Sequence, residues 1–231
     1  MYRKLIKKVV TFLIVFALSF PNSVPSVYAA NATTLYIKDT KGGNTETIVQ
    51  DTVDAENGWS WNSETSTLTL DGFDGEYIEA NGDINIILKG SNTITLPASP
   101  TESSIYGIYT SAGSININDD GEGERDSLTI TQTEITRSDV YVLGIDANVS
   151  VNVTDCDIVI NIAGADEQND YNCYSRTGIN ASSGSLYFNG SASLDIDMAE
   201  TSSTYGSGRG INLNTTGNID INIYDAYTED S

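Results

Sequence analysis

Apolar positions along this chain alternate with polar ones in short runs, and beyond the first thirty residues no apolar stripe of helical length interrupts them. Ile84 and Ile86, Ile115 and Ile117, Val151 and Val153, Leu186 and Phe188, and Ile219 and Ile221 are each separated by one residue, so each pair falls on one side of a strand. The runs recur as groups. Variants of segment 77–86, Tyr-Ile-Glu-Ala-Asn-Gly-Asp-Ile-Asn-Ile, return four more times, and the anchors Ile78, Ile108, Ile145, Ile179 and Ile211 are 30, 37, 34 and 32 residues apart. Each later repeat reads as three short strands, clearest in 106–110, 114–118 and 127–131. Further third strands fall at 92–96, 157–161 and 193–197. An irregular period made only of strands predicts coil stacked on coil. The expected fold is all-β, a right-handed parallel β-helix (solenoid) of about five coils.

Ahead of the repeats, Gly58-Trp59-Ser60-Trp61 puts both indoles on one face, 62–65 is a turn, and Thr67-Leu68-Thr69-Leu70 returns with both leucines on one face. A solenoid must close its first coil with something large and apolar, so this β-hairpin reads as an N-terminal cap. Residues 1–30 read as a signal peptide, with Arg3, Lys4, Lys7 and Lys8, an apolar run over 9–20, and small residues at 29–30. That apolar run is shorter than the roughly 20 residues a membrane span needs. The organisation is therefore signal peptide 1–30, N-terminal strands and capping hairpin 31–75, and parallel β-helix 76–231. The last residues, 224–231, supply no apolar third strand, which leaves an open edge for a further chain or a missing C-terminal segment to cover. Gly82, Gly113, Gly184 and Gly217 sit where the first strand of a repeat turns into the second, and a positive φ is expected there.

Charge narrows the partners. The whole chain carries −21, and without the four basic residues of the signal the balance is 7 − 32 = −25. Nucleic acid and anionic membrane surfaces are disfavoured at that charge, and no membrane insertion is expected once the signal is removed. The chain has no histidine and two cysteines, Cys156 and Cys173, which excludes histidine-based triads and the usual zinc sites within it. Export permits a disulfide, but alternation turns Cys156 inward while Cys173 lies in a polar loop, and the sequence leaves the bond open.

Asn85, Asn116 and Asn152 align outward and could hydrogen-bond along their length, although a simply solvated face is the plainer expectation. Tyr109, Asp146, Asn180 and Asn212 occupy the outward position of successive first strands, beside Gly107, Gly144, Gly178 and Gly210. Thirteen tyrosines are many. Tyr109, Tyr141, Tyr174, Tyr187 and Tyr205 are the candidate stacking faces for sugar rings, with Asp146, Asn180 and Asn212 as hydroxyl partners. The loop 118–126 sets Asn118, Asp120 and Glu122 at alternate positions as candidate calcium ligands, without the bidentate Glu that closes a twelve-residue calcium loop.

The repeats, the Trp-x-Trp-Asn hairpin and its Thr-Leu-Thr-Leu return resemble the secreted β-helical carbohydrate-binding domains of Gram-positive gut and cellulolytic bacteria. The resemblance spans about 58–223 and rests on repeat pattern, not on a site motif. It implies binding of plant or microbial polysaccharide, with calcium as an associated ion. Export, a flat repetitive surface, excess tyrosine and absent histidine lead to the same expectation: non-catalytic attachment to an extracellular polysaccharide by a secreted or cell-surface protein. The enzyme alternative, a polysaccharide lyase or glycoside hydrolase, rests on Asp195 and Asp197, on one face about 6–7 Å apart. Arg176 and Arg209 fall at different offsets in adjacent repeats. A structural or adhesive surface protein is a further alternative, and an ice- or surface-binding array is the third class. The Thr-x-Thr pairs at 67 and 69, 93 and 95, and 129 and 131 are accounted for by strand propensity.

Overall fold

The structure is a computed structural model and describes residues 30–39, 45–98, 102–123, 125–133, 140–162, 173–198 and 207–213. The signal segment, Tyr205, Gly217, Ile219, Ile221 and the C-terminal residues that bear on an uncovered end lie outside them. So do the side chains of Cys173, Tyr174 and Asn212.

Every regular element among the described residues is a strand. In chain order these are β1 (Leu35–Asp39), β2 (Thr45–Ile48), β3 (Thr52–Asp54), β4 (Trp59–Asn62), β5 (Thr67–Asp71), β6 (Asp74–Ala80), β7 (Ile84–Lys89), β8 (Ser91–Thr95) and β9 (Ser104–Thr110). There follow β10 (Ile115–Asp119), β11 (Ser127–Gln132), β12 (Val140–Ala147), β13 (Val151–Thr154), β14 (Asp157–Ile162), β15 (Cys173–Ala181), β16 (Leu186–Asn189), β17 (Ser193–Met198) and β18 (Ser207–Leu213). No helix among the described residues is long and apolar enough to cross a membrane.

The repeat pairs in parallel with its own successor. First strands form the ladder β6-β9-β12-β15-β18, second strands β5-β7-β10-β13-β16, and third strands β6-β8-β11-β14-β17. β6 belongs to two ladders, pairing with β8 through Asp74 and Gly75 and with β9 through Ile78, Glu79 and Ala80. The eleven-stranded sheet therefore bends round on itself at β6, as parallel strands in a nearly closed, barrel-like sheet. Period-two alternation and parallel in-register pairing together stack like on like: Ile84, Ile115, Val151 and Leu186 make one inward column, Ile86, Ile117, Val153 and Phe188 the next. All but Leu186 and Phe188 are fully buried. Each such aliphatic contributes about 1.5–3 kcal/mol when removed from water.

The front end is antiparallel. β1 pairs with β6 and β2, and the meander β3-β4-β5 extends the second ladder beyond β7. Trp59 faces Leu70 and Trp61 faces Leu68 across the hairpin, and all four are buried in the core cluster. The hairpin turn is fixed by Thr65 N donating to Asn62 Oδ1 at 3.0 Å, and Ser66, at a φ of 51°, donates from Oγ to Ala32 O at 2.7 Å. The indoles are core residues, not an exposed binding face.

The corner glycines correct the expectation made for them. Gly82, Gly113 and Gly184 are not among the positive-φ residues, whereas Gly58, Gly72, Gly90, Gly121, Gly123 and Gly190 are. What the corners require is close approach. A Cβ on Gly113 would lie 2.2 Å from Gly82 C, and one on Gly82 would lie 2.3 Å from Ala30 O, so successive corners touch backbone to backbone. Cys156 is a free, fully buried thiol, as alternation predicts, but Cys173 opens β15 instead of lying in a loop.

Candidate functional site

The first ladder, extended at the front by β1, aligns one residue from each of six strands in a single row, outward wherever the side chain is described. Tyr36 on β1 sits opposite Glu79 on β6, Glu79 opposite Tyr109 on β9, and then follow Asp146, Asn180 and Asn212 on β12, β15 and β18. At about 4.8 Å per strand the row is about 24 Å long. The predicted residues Tyr109, Asp146, Asn180 and Asn212 are thus consecutive in it. Tyr36 and Glu79 complete it at the front.

A break in alternation brings a further aromatic to the row. Gly107 and Ile108 are both buried, so Tyr106 and Tyr109 emerge on the same side, with ring centroids 4.5 Å apart and planes 22° apart. The break has a packing cause. Gly107 faces inward, where a Cβ would lie 2.6 Å from Gly144 O and 2.8 Å from Ile130 Cγ2, and Gly144 repeats the arrangement against Gly178 O and Ile160. These glycines belong to the interior, where the first and third ladders press together, rather than to the outward surface.

The stacked pair borders a cleft of about 450 Å³ whose lining includes Lys38, Glu76, Glu79, Glu102, Tyr106 and Tyr109. Lys38 Nζ donates to Glu76 Oε2 at 2.5 Å. Burial pushes the Glu79 carboxyl upward from its ordinary value. Asp146 is likewise raised by burial, partly offset by Asn180, whose Nδ2 donates to Asp146 Oδ1 at 2.6 Å. The Tyr109 hydroxyl is raised too, first by burial and then by Tyr106, Asp146 and Glu79 nearby. A row of half-buried tyrosines and carboxylates with the Asn180 carboxamide, rich in hydrogen-bonding capacity, is suited to stacking on flat rings and reading hydroxyl groups.

The remaining aromatic candidates are dispersed. Tyr141 is 45% exposed and aligns with Ser104 and Ser175, away from the row. Tyr187, 48% exposed, lies on the second ladder, at the end of Asn85, Asn116 and Asn152. That asparagine column is hydrogen-bonded to itself, which corrects the expectation of a merely solvated face: Asn116 Nδ2 donates to Asn85 Oδ1 at 3.0 Å, and Asn152 Nδ2 to Asn116 Oδ1 at 2.6 Å. Tyr174 lies in β15 on the first ladder.

The acidic loop after β10 gathers a different set from the one its spacing suggests. Ligand atoms of Asp119, Asp120 and Asp126 lie within 4.8 Å of one another and could hold a metal ion; Asn118 stays in register in β10, and Glu122 is exposed at the loop tip outside this group. The carboxylates are already used. Asp126 Oδ1 accepts from Gly90 N at 2.6 Å and Oδ2 from Asp120 N at 3.1 Å, Asp119 accepts from Gly121 N and Asp126 N, and Lys89 Nζ lies 3.6 Å from Asp120 Oδ2.

Asp195 and Asp197 alternate outward on β17 and are exposed, while Leu194 and Ile196 pack against the core. Arg176 is buried opposite Val142 and Gly208, and Arg209 pairs with Thr177, one residue out of step. The threonine pairs do not make one array. Those at 93 and 95 and at 129 and 131 align on the third ladder, whereas Thr67 and Thr69 lie on the second. No protein-family model, curated protein or solved structure matches this chain.

Proposed function

We propose that the protein is a secreted or cell-surface module that binds an extracellular polysaccharide without cleaving it, along the outward row of the first ladder. The carrying observation is that row: Tyr36, Glu79, Tyr109, Asp146, Asn180 and Asn212 in consecutive register, with Tyr106 stacked on Tyr109 beside the cleft. A linear ligand with a repeated ring meets a repeated surface. Stacking faces at one end and carboxylate or carboxamide groups along the rest supply both kinds of contact that a sugar chain offers. In this reading the ladders are about five coils of a right-handed parallel β-helix, the handedness being the one that crossover connections between parallel strands favour. Calcium, if it serves the module, binds at Asp119, Asp120 and Asp126 as a brace for the loop between the second and third ladders. Nucleic acid is not a partner at this charge.

The test is a pull-down of the protein without its signal on an insoluble neutral glucan and on immobilised polygalacturonate, with and without chelator. Binding that Tyr109→Ala and Tyr106→Ala weaken supports the row. Retention on neither matrix moves the protein to a structural or adhesive role, and release of new reducing ends or unsaturated products would move it to the enzymes.

A further inference from the structure

The cleft beside the stacked tyrosines carries a charge that the polysaccharide reading does not by itself require. Among the described residues its lining holds three carboxylates, Glu76, Glu79 and Glu102, against one ammonium, Lys38, so with all of these ionised their charge is 1 − 3 = −2. Lys38 is engaged by Glu76 at 2.5 Å, both side chains being 27% exposed, so its charge is directed at that partner instead of at the cleft as a whole. Glu79 lies between Tyr36 and Tyr109 in the row and is half-buried, and the chain as a whole carries −21.

Each class of sugar meets this lining differently. An anionic unit such as a uronic acid would set a further negative charge beside three carboxylates in a partly desolvated cleft, and the long-range field would oppose its approach. A neutral unit would strip water from the carboxylates and return only hydroxyl hydrogen bonds. A unit bearing an ammonium returns charge-assisted hydrogen bonds to the carboxylates while its ring stacks on tyrosine, and the tyrosine faces themselves attract a cation. We propose that the cleft selects a cationic amino sugar, so that the polysaccharide bound along the row is one carrying free, non-acetylated amino groups. This rests on the polysaccharide reading and narrows it to a substrate class. Glu79 and Glu102 are the specificity-determining carboxylates, Tyr106 and Tyr109 the stacking platform, and Lys38 with Glu76 the fixed wall.

Proton linkage follows from the surroundings of Glu79. Facing it are Tyr36 of β1, Tyr109 of β9 and, one strand further, Asp146 of β12, with Lys38 and Glu76 at the cleft wall. Lys38 is the one cation that lines the cleft among the described residues, so a ligand ammonium would favour the ionised form of Glu79, and the ligand should bind with net release of protons where Glu79 is partly protonated.

The experiment is calorimetric titration at mildly acidic pH with three hexamers: β-1,4-linked glucosamine, its fully N-acetylated form, and cellohexaose. The glucosamine hexamer should bind about tenfold or more tighter than either neutral hexamer, a margin that added salt reduces. In E79Q/E102Q the glucosamine hexamer should lose its margin over the two neutral hexamers, and a far-ultraviolet circular dichroism spectrum and thermal melt matching those of the parent show that the double variant is folded. Equal affinity of the three hexamers for the parent protein overturns amino-sugar selection and leaves polysaccharide binding standing. So does a glucosamine preference that survives in E79Q/E102Q, or one that polylysine of matched charge abolishes at equal concentration. Binding of none of the three overturns this inference together with the polysaccharide reading on which it rests.

Discussion

Asn180 donates from Nδ2 to Asp146 Oδ1 at 2.6 Å across neighbouring strands of the first ladder, and Asp146 nevertheless titrates high because its burial outweighs that bond. The carboxamide holds the carboxylate in line with the row. It does not compensate for the water the carboxylate has lost.

A pH dependence follows. The folded-state pKa of Asp146 lies above its value in the unfolded chain, so between the two the folded protein binds more protons, and stability contributed at this site declines as pH rises through the folded value. Asp146→Asn removes the penalty and keeps an acceptor for Asn180. The variant should melt higher than the parent at neutral pH, and the difference should shrink as pH falls through the folded value towards the ordinary aspartate value of 3.8, below which it is gone. Thermal melts at a series of pH values measure this. A variant that melts lower than the parent at neutral pH would show that the Asn180 bond dominates after all.

Gln132 is a polar flaw in the core. It is 1% exposed, lies opposite Ile162 on the third ladder, and among the described residues neither its Oε1 nor its Nε2 has a hydrogen-bond partner. A buried amide without partners costs about 1–3 kcal/mol relative to an apolar side chain of similar volume. Gln132→Leu should therefore stabilise the protein by about 1–2 kcal/mol, read as a shift of the urea midpoint with unchanged slope.

Much of the fold could be read from residues such as Ile115 and Ile117, because alternation gives their direction and the repeat gives their neighbours. Parallel pairing does the rest, since it sets Ile115 against Ile84 and Val151 in register. The site was legible only in part. Tyr109, Asp146 and Asn180 stand at equivalent positions of three repeats, but Tyr36 belongs to no repeat and reaches the row because β1 pairs antiparallel with β6. Tyr106 and Tyr109 are an odd number of positions apart, so strict alternation assigns them to opposite faces. The two consecutive inward residues Gly107 and Ile108 reverse that. Asp126 was missed because it joins the acidic cluster from the start of the next strand, a contact fixed by loop closure and by Gly90 of the preceding repeat.

The corner glycines separate close approach from backbone conformation as reasons for glycine. Gly113→Ala places a methyl against Gly82 backbone at 2.2 Å and requires the two corners to part, with loss of about 3 kcal/mol or more expected. Gly72→Ala meets open space and bears only the strain of a φ of +69°, about 1 kcal/mol. Chemical denaturation of the two variants should rank them in that order. The reverse order would mean that corner spacing is soft and that the repeat tolerates side chains where it turns.

Calcium and the loop after β10 can be separated by substitutions that keep the hydrogen bonds. Asp120→Asn retains the Oδ1 that accepts from Glu122 N at 2.7 Å but removes one of three negative charges. If Asp119, Asp120 and Asp126 hold calcium, millimolar calcium should raise the melting temperature of the parent, by an amount equivalent to about 2.7 kcal/mol at a hundredfold excess over Kd, and D120N should lose most of that rise. Asp126→Asn acts differently. Its carboxylate is 2% exposed and accepts from both Gly90 N and Asp120 N, and a carboxamide can accept only one of these, so D126N should lose roughly 1–3 kcal/mol even in chelator. Melts of the three proteins in calcium, in magnesium and in chelator distinguish the cases. A parent protein indifferent to calcium, with D126N still destabilised, would assign these carboxylates wholly to capping the turn between the second and third ladders.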